Sequence, residues 1–307
     1  MDKLSKRRIA VVGLGDIAEK AYLPIVATHL HITPVLCTRN EETLTRIANK
    51  YRIAETYTSL ESLIATRPDA AMVHTATDSH YEIIKKLLTA GIPVFVDKPL
   101  SYTLKQCDEL LDLSLATKTL LYVGFNRRFA PFIQNLSKEN HPTQITWQKN
   151  RANLPGDPRV FVFDDFIHVI DSLLFLGKGP IEHLHIRSLI KDRKLCAVQA
   201  QWQQGDTFMQ GSMNRVSGYT QELVDYYTQG NTWHINDFTT CSHFTNEQHT
   251  LINAGSWESA LRKKGFYPMI EDWLEALAEK EFNKNRVESI RATHHFCEQI
   301  VNEISRK

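Results

Sequence analysis

The chain has 307 residues, with 36 Lys+Arg against 35 Asp+Glu. A formal charge of +1 leaves no electrostatic excess to hold a polyanion, which excludes nucleic acid as the main partner. At roughly 100 to 200 residues per domain the length fits two domains, each able to bury its own core. Glycine is scarce: 13 in 307 is about 4%, against a usual share of roughly 7%, so any glycine that clusters needs a reason.

Cys37, Cys107, Cys196, Cys241 and Cys297 are odd in number and far apart, with no CxxC pair. That argues against a disulfide framework and a thiolate zinc site, so no metal is expected and a reducing compartment fits. Lys3, Lys6, Arg7 and Arg8 precede an apolar run, Ile9 to Leu14, that soon meets Asp16, Glu19 and Lys20. A secretory core needs roughly 7 to 15 apolar residues and a membrane span roughly 20. The expectation is a soluble, unprocessed, cytoplasmic protein with no membrane partner.

Arg8 to Gly13 opens a series of short apolar runs, continued by Ile32 to Cys37, Ala70 to Thr75, Pro93 to Val96 and Leu120 to Val123. Helical patterns lie between them, as in a parallel sheet covered on both faces. Thr58 with Glu61, Ser79 with Glu82 and Thr103 with Gln106 fit the capping box that starts a helix. Gly91 stands where the helix from His80 to Ala90 must end. Pro24 divides the first helical segment into a short part and a second part running to His29.

Gly13, Gly15 and Ala18 form G-x-G-x-x-A at the first strand-to-helix junction. The first glycine permits the turn, the second lets backbone approach a pyrophosphate, and the alanine allows close packing of helix on strand. The helix amino terminus offers that phosphate free N–H groups. At the end of the second run, an acid would accept from the ribose 2′-OH of NAD. Here Thr38-Arg39-Asn40 contains none, and Thr38 and Arg39 suit a 2′-phosphate, so NADP(H) is favoured over NAD(H). Arg39 also reads as a plain solvated loop residue.

Asp97-Lys98-Pro99 places a lysine directly after an apolar run, at the edge where ligands bind in open α/β sheets. Such a lysine can hydrogen-bond a substrate hydroxyl, although lysines after strands are commonly solvated. On an α-helix, Asp164, His168 and Asp171 share one face beside an apolar stripe of Phe163, Phe166, Ile167, Ile170 and Leu174. His168 could take a hydroxyl proton, oriented by Asp164 or Asp171. The same spacing equally describes a histidine satisfied by a neighbouring acid on a helix surface. His294, His295, Cys297 and Glu298 look metal-like, but adjacent histidines diverge on a helix, and a surface helix is the better reading.

Together these segments resemble the Gfo/Idh/MocA oxidoreductases, which include glucose-fructose oxidoreductase and inositol dehydrogenase, with the overall wording most like the MviM type. Gly13 to Ala18 matches the family's cofactor loop, and Thr75-Ala76-Thr77-Asp78-Ser79-His80 its T-P-N-x-x-H segment. Asp97-Lys98-Pro99 matches E-K-P, Gly124 to Phe129 matches G-x-N-x-R-F, and Asp164 to His168 matches D-x-x-x-H. The resemblance implies hydride transfer between a nicotinamide and a secondary alcohol or carbonyl carbon of a sugar, polyol or related small molecule. Lys98, Asp164 and His168 would be catalytic. Gly13, Gly15, Asp16, Ile17, Ala18, Thr38, Arg39, Thr75, Ala76, Thr77, His80, Asp97, Lys98 and Asn126 would hold the cofactor.

The fold expected is α/β. A parallel, doubly wound Rossmann domain spans residues 1–124, followed by an α+β substrate and oligomerisation domain, 125–307, with an open, mostly antiparallel sheet. Gln144 to Lys149, His183 to Ile190, Ala197 to Gln203 and Thr207 to Met213 read as strands of that sheet, whose far face in the family commonly forms homo-oligomers. Departures from the family pattern are Asp97 for Glu, Ala76 for Pro, Thr77 for Asn, and bulky residues where relatives carry glycine. Arg159 to Phe163 and Phe166 would fill space near the substrate, which motivates a rival reading as a cofactor-binding sensor that has lost turnover.

Overall fold

In the computed structural model, residues 6–139, 141–279 and 283–306 are described. The chain forms two compact units. One runs to Gly124 and takes in Met269–Arg291, and the other is Phe125–Pro268 with the residues from Ala292 onward.

The first unit holds a six-stranded sheet of β1 (Arg7–Val12), β2 (Ile32–Cys37), β3 (Thr56–Tyr57), β4 (Ala70–Val73), β5 (Val94–Val96) and β6 (Leu121–Val123). The spatial order is β3-β2-β1-β4-β5-β6, and every pairing is parallel. The order reverses between β1 and β4, the switch point of a doubly wound sheet. The strands are almost wholly buried because helices cover both faces, which is why they read as continuous apolar runs. Only the two-residue edge strand β3 escapes the sequence pattern, being too short to show a period.

Helices α1 (Leu23–Val26), α2 (Glu41–Tyr51), α3 (Leu60–Ala65), α4 (His80–Thr89) and α5 (Leu104–Thr117) connect these strands. Their starts differ in detail from the capping boxes. Ser59, not Thr58, caps α3 by accepting from the Ser62 N–H. Ser79 precedes α4 in helical conformation and donates its hydroxyl to Thr75 Oγ1 and Ala76 O instead of capping. Gln106 accepts from Ser101, leaving Thr103 at the cap position of α5 without a side-chain bond to the helix. Asn40 caps α2 through Thr43 N. The first helical segment also ends sooner than His29: a π-turn, Ala18–Tyr22, runs into the four-residue α1, which carries Pro24 in its first turn.

In the second unit, the 3-10 turn Asn126–Phe129 and α6 (Pro131–Leu136) lead into an eight-stranded sheet. Its strands are β7 (Gln144–Ala152), β8 (Ile181–Lys191), β9 (Lys194–Gln204), β10 (Thr207–Ser217), β11 (Gln221–Thr228), β12 (Asn231–Asn236), β13 (Thr240–Thr245) and β14 (Gln248–Asn253). The order is β14-β13-β12-β11-β7-β10-β9-β8, antiparallel throughout except for the parallel pair β7 and β10. Between β7 and β8 lie α7 (Pro158–Phe161), a second π-turn, Val162–Phe166, and α8 (Ile167–Leu176), which is apolar nearly all round and buried against the sheet. After the sheet come α9 (Ala260–Lys263), α10 (Phe266–Ala276) and α11 (Lys284–Ser305). No helix among the described residues is long and apolar enough to cross a membrane.

The return of Met269–Arg291 to the first unit departs from a single division at residue 124. Trp273 packs edge-on against Phe95, with ring centroids 5.4 Å apart. The Tyr122 hydroxyl donates to Asp272, which also pairs with Arg286, and Arg291 pairs with Asp108 and Asp112 of α5. The carboxyl-terminal helix lies at the surface with one face inward: Ile290, Phe296, Ile300 and Ile304 are buried together with Thr293, His294 and Cys297, while Glu288, His295 and Gln299 are exposed.

The bulky residues that replace glycine around Asp164 are absorbed by the core. Phe161, Phe163 and Phe166 have no exposed surface, and α8 packs closely on a glycine of the sheet. A Cβ added at Gly211 on β10 would lie 3.0 Å from Val169 Cγ1, 3.1 Å from Leu173 Cδ1 and 3.5 Å from Phe166 Cζ. Gly211 thus lets Val169 and Leu173 of α8 approach the strand. Gly211→Ala should therefore cost about 1–3 kcal/mol in urea denaturation through overpacking. Gly218→Ala, where an added Cβ meets nothing within 4 Å, should stay within about 0.5 kcal/mol of the parent.

Candidate functional site

All strands of the first sheet are parallel, so the loops after β1, β2, β4 and β5 leave the same edge. Backbone hydrogen bonds continue past the strand ends: Gly13 N donates to Cys37 O, His74 N to Val12 O, Asp97 N to Val73 O and Gly124 N to Val96 O. The residues expected at the cofactor in the first unit, from Gly13 to Lys98, lie on the loops that leave this edge.

Gly13 and Gly15 stand in different surroundings. Gly13 has φ +88°, and a Cβ there would sit 2.6 Å from Thr75 Cγ2 and 2.7 Å from Thr75 N, so the loop after β4 closes directly on it. At Gly15 an added Cβ meets nothing within 4 Å. The protein's own packing does not demand that glycine, and the bare backbone is available to a phosphate, as the motif requires. Ala18 is fully buried where the helix presses on the sheet. Asp16 and Ile17 are exposed beside it, and Asp16 pairs with Lys20 at 2.7 Å.

At the end of β2, Thr38 N is tied to Tyr57 O at 3.2 Å. Arg39 is exposed and forms no hydrogen bond or ion pair among the described residues. The Asn40 side chain is occupied in capping α2.

Thr75, Ala76 and Thr77 form the loop after β4, and His80 does something the motif does not advertise. Its ring is almost wholly buried, with Nδ1 2.9 Å from Pro99 O and Nε2 3.0 Å from Thr75 O. It thereby staples the Thr75 loop to the Lys98 loop. Burial pushes its pKa down while the two carbonyls pull the other way.

Asp97 accepts from the Tyr22 hydroxyl at 2.6 Å. Burial raises its pKa, and the charge of Lys98 opposes that rise. Tyr22 in turn stacks on His74 at 4.0 Å, a ring that burial drives down to about 3 and so keeps neutral. Neither the Tyr22 nor the His74 contribution is visible in the motifs. Lys98 is half-buried, and its peptide bond to Pro99 is cis.

In the second unit, Asp164 lies in the π-turn and His168 in the first turn of α8. A π-turn advances fewer degrees per residue than an α-helix, so the shared face expected for residues 164, 168 and 171 is not simple α-helical geometry. Asp164 is half-buried and His168 is 9% exposed. Asp171 is corrected as an orienting acid, because it is spent elsewhere. Arg128 Nε donates to it at 2.7 Å, and Thr293 Oγ1 at 3.1 Å. Asn126, expected at the cofactor, is buried and donates its amide to Lys264 O at 2.8 Å, which ties the 3-10 turn to the loop before α10. No group of three or more His, Cys, Asp or Glu among the described residues could hold a metal ion.

Sequence reasoning missed an ion cluster beside Asp164. Asp165 faces three cations: Lys149 Nζ at 2.5 Å, Arg151 Nε at 2.9 Å and Arg215 Nη2 at 3.0 Å. Glu222 receives Arg127 through two nitrogens and the Trp147 indole N–H at 3.1 Å. Burial pushes the Glu222 pKa up, but the charges of Arg127 and Lys149 and these hydrogen bonds bring it down to about 2. The stability it contributes is therefore present above the unfolded carboxylate value, about 4.3, and lost as pH falls towards about 2. Glu222→Gln should lose about 3–5 kcal/mol at neutral pH, measured by urea denaturation, and the deficit against the parent should shrink across that acid window.

Comparison with known proteins agrees with the geometry. The family described as "Oxidoreductase family, NAD-binding Rossmann fold" matches residues 7–125, and that described as "YceM-like, C-terminal domain" matches residues 131–248. YceM of Salmonella typhimurium is 31% identical over 264 residues, 84% of this chain and 85% of that protein. The crystal structure of a Gfo/Idh/MocA family oxidoreductase from Vibrio cholerae superposes with a TM-score of 0.92 at 36% identity, covering 98% of this chain and 100% of the other. A dehydrogenase (MviM) structure from Clostridium difficile gives 0.88 at 30% identity, covering 97% and 99%. With its parallel dinucleotide-type sheet and its second, mostly antiparallel one, the chain belongs to the Gfo/Idh/MocA family of NAD-binding oxidoreductases.

Proposed function

We propose that the chain is an NADP(H)-preferring dehydrogenase or reductase acting on a secondary alcohol or carbonyl of a sugar, polyol or related small molecule. The observation that carries the cofactor preference is at the end of β2. Arg39 is exposed, and no acid stands between Cys37 and Glu41. The Asn40 side chain is engaged with α2, which leaves Thr38 and Arg39 for the ribose end. A 2′-phosphate offers Arg39 a bidentate, charge-assisted pair that a 2′-hydroxyl cannot.

A bound nicotinamide supplies the hydride donor or acceptor. The protein's part is to hold the reacting oxygen and manage its proton. Lys98 hydrogen-bonds that oxygen and stabilises the negative charge that develops on it. Asp97 sets the direction of the Lys98 loop through Tyr22, and His80 fixes the carbonyl of Pro99. His168 takes or returns the hydroxyl proton, with Asp164 positioning the substrate. The rival sensor reading rests on bulk near Asp164, and Phe161, Phe163 and Phe166 lie in the core instead.

Titrating the protein with NADPH and NADH by fluorescence tests the cofactor. NADPH should bind the more tightly, and Arg39→Ala should weaken NADPH by about tenfold or more while NADH changes little. Equal affinities in the parent protein would remove the preference. Lys98→Ala should abolish turnover on whichever polyol or keto compound is reduced or oxidised, with NADPH affinity held within a few fold. Retained turnover would remove Lys98 from the chemistry.

A further inference from the structure

The inner face of the second sheet, packed under the π-turn, carries apolar residues along β7 as Ile145 and Trp147, and then changes to Lys149 and Arg151 in the same alternation. Lys149 stands directly across from Glu222 on β11 and from Met213 on β10. Arg215 lies one inward position further along β10, and its guanidinium stacks over Phe161 at 4.4 Å. Arg127 joins from the 3-10 turn, and Lys264 from the loop that Asn126 holds.

The acids facing this group are Asp165, Glu222 and Asp237, the last accepting from Glu222 N at 2.7 Å. The cations are Arg127, Lys149, Arg151, Arg215 and Lys264. Cations therefore outnumber acids, although Arg127, Lys149 and Arg215 are each more than nine-tenths buried.

The three buried cations are matched by Asp165, Glu222 and Asp237, so the surplus falls on Arg151 and Lys264, where an anion can reach it. Two features mark where that anion would enter. Arg215 Nε is buried and has no hydrogen-bond partner among the described residues. Arg151, with a third of its side chain exposed, and the exposed Lys264 bring the surplus to the surface. Burial, and after it the charge of Arg127, lowers the pKa of Lys264, and burial brings that of Lys149 to about 8 against the pull of Asp165 and Glu222. Lys264 thus sits beside a charge that an additional anion would relieve, whereas Lys149 is already drawn to Asp165 and Glu222.

We infer that this cluster receives an anionic group of the substrate, a carboxylate or a phosphate, with Arg151 and Lys264 in contact and Lys149 and Arg215 supplying the field behind them. The inference rests on the oxidoreductase reading above for the word substrate, and it narrows the class to polyhydroxy compounds that carry a negative group. Asp165 neighbours Asp164 along the π-turn, so the charge that recognises one end of the substrate is built into the same turn as the D-x-x-x-H segment. The effect is selectivity: neutral sugars and polyols leave the surplus uncompensated, whereas a carboxylate or phosphate gains charge-assisted hydrogen bonds.

The test uses the full chain with NADPH present and follows thermal unfolding with D-gluconate, glucose 6-phosphate or neutral glucose at matched ionic strength. At least one of the two anions should raise the melting temperature while glucose does not, and the two anionic arms separate carboxylate from phosphate recognition. In Arg151→Met and in Lys264→Met, the apparent affinity for that anion should fall about tenfold. No shift with either anion, an equal shift with glucose, or an unchanged affinity in both variants would overturn the inference. Anion binding without hydride transfer to any compound would leave the anion site standing and remove the oxidoreductase reading. Turnover confined to neutral polyols would do the reverse.

Discussion

The second unit depends on how one carboxylate is shared. Asp165 is buried, and burial alone would favour its neutral form. Lys149, Arg151 and Arg215 surround it and hold its pKa well below the usual carboxylate range. These three cations come from β7 and β10, which are adjacent and parallel, so a single side chain on the π-turn fastens that turn to two strands at once. Glu222 does the same from β11, gathering Arg127 and the Trp147 indole. Removing either acid would leave buried cations unpaired, which is the costly way to break a buried ion pair. The π-turn itself is a strained form of helix, and such turns persist where surrounding contacts hold them.

In the first unit the constraint is proximity. Gly13 is pressed by the loop after β4, and Gly124 by Phe95 and the Tyr22 hydroxyl, at 2.8 and 3.0 Å from where a Cβ would stand. These contacts bring Tyr22, His74, Phe95 and Asp97 into one buried group behind Lys98. His80 closes the arrangement from the other side by bridging Thr75 and Pro99. The residues around Lys98 therefore act by fixing backbone. His80, which the motif suggests as a cofactor contact, has both ring nitrogens committed to the protein itself.

Much of this was legible because the first sheet is buried on both faces, so β1, β2, β4, β5 and β6 announce themselves as apolar runs and the small residues at 13, 15 and 18 fall at the right junction. The capping residues were harder. Ser59 and Thr58 are adjacent and chemically alike, and only the backbone conformation decides which of them accepts the helix N–H. Asp171 was misread because the i, i+4, i+7 rule assumes an unbroken α-helix, and nothing in a local pattern shows that Arg128, distant in sequence, claims that carboxylate. Met269–Arg291 was placed with the wrong unit for a similar reason, since the aromatic and ionic contacts that bind it to Phe95, Tyr122 and α5 are all long-range. One signal was available and passed over: on β7 the inward positions continue from Ile145 and Trp147 to Lys149 and Arg151, and charge at an inward position of a strand needs a buried partner.

Glycine scarcity and charge balance look different at this scale. Gly211 on β10 stands where Val169 and Leu173 of α8 press on the sheet. A chain can spend few glycines and still allow close approach, provided each stands where two elements meet. The near-neutral total of 36 basic and 35 acidic residues likewise conceals an uneven distribution. It leaves no net excess over the whole chain, and it places no limit on a surplus of two or so charges confined to one end of a sheet. Overall charge thus describes the whole surface, while the second unit concentrates its charge locally around Asp165 and Glu222.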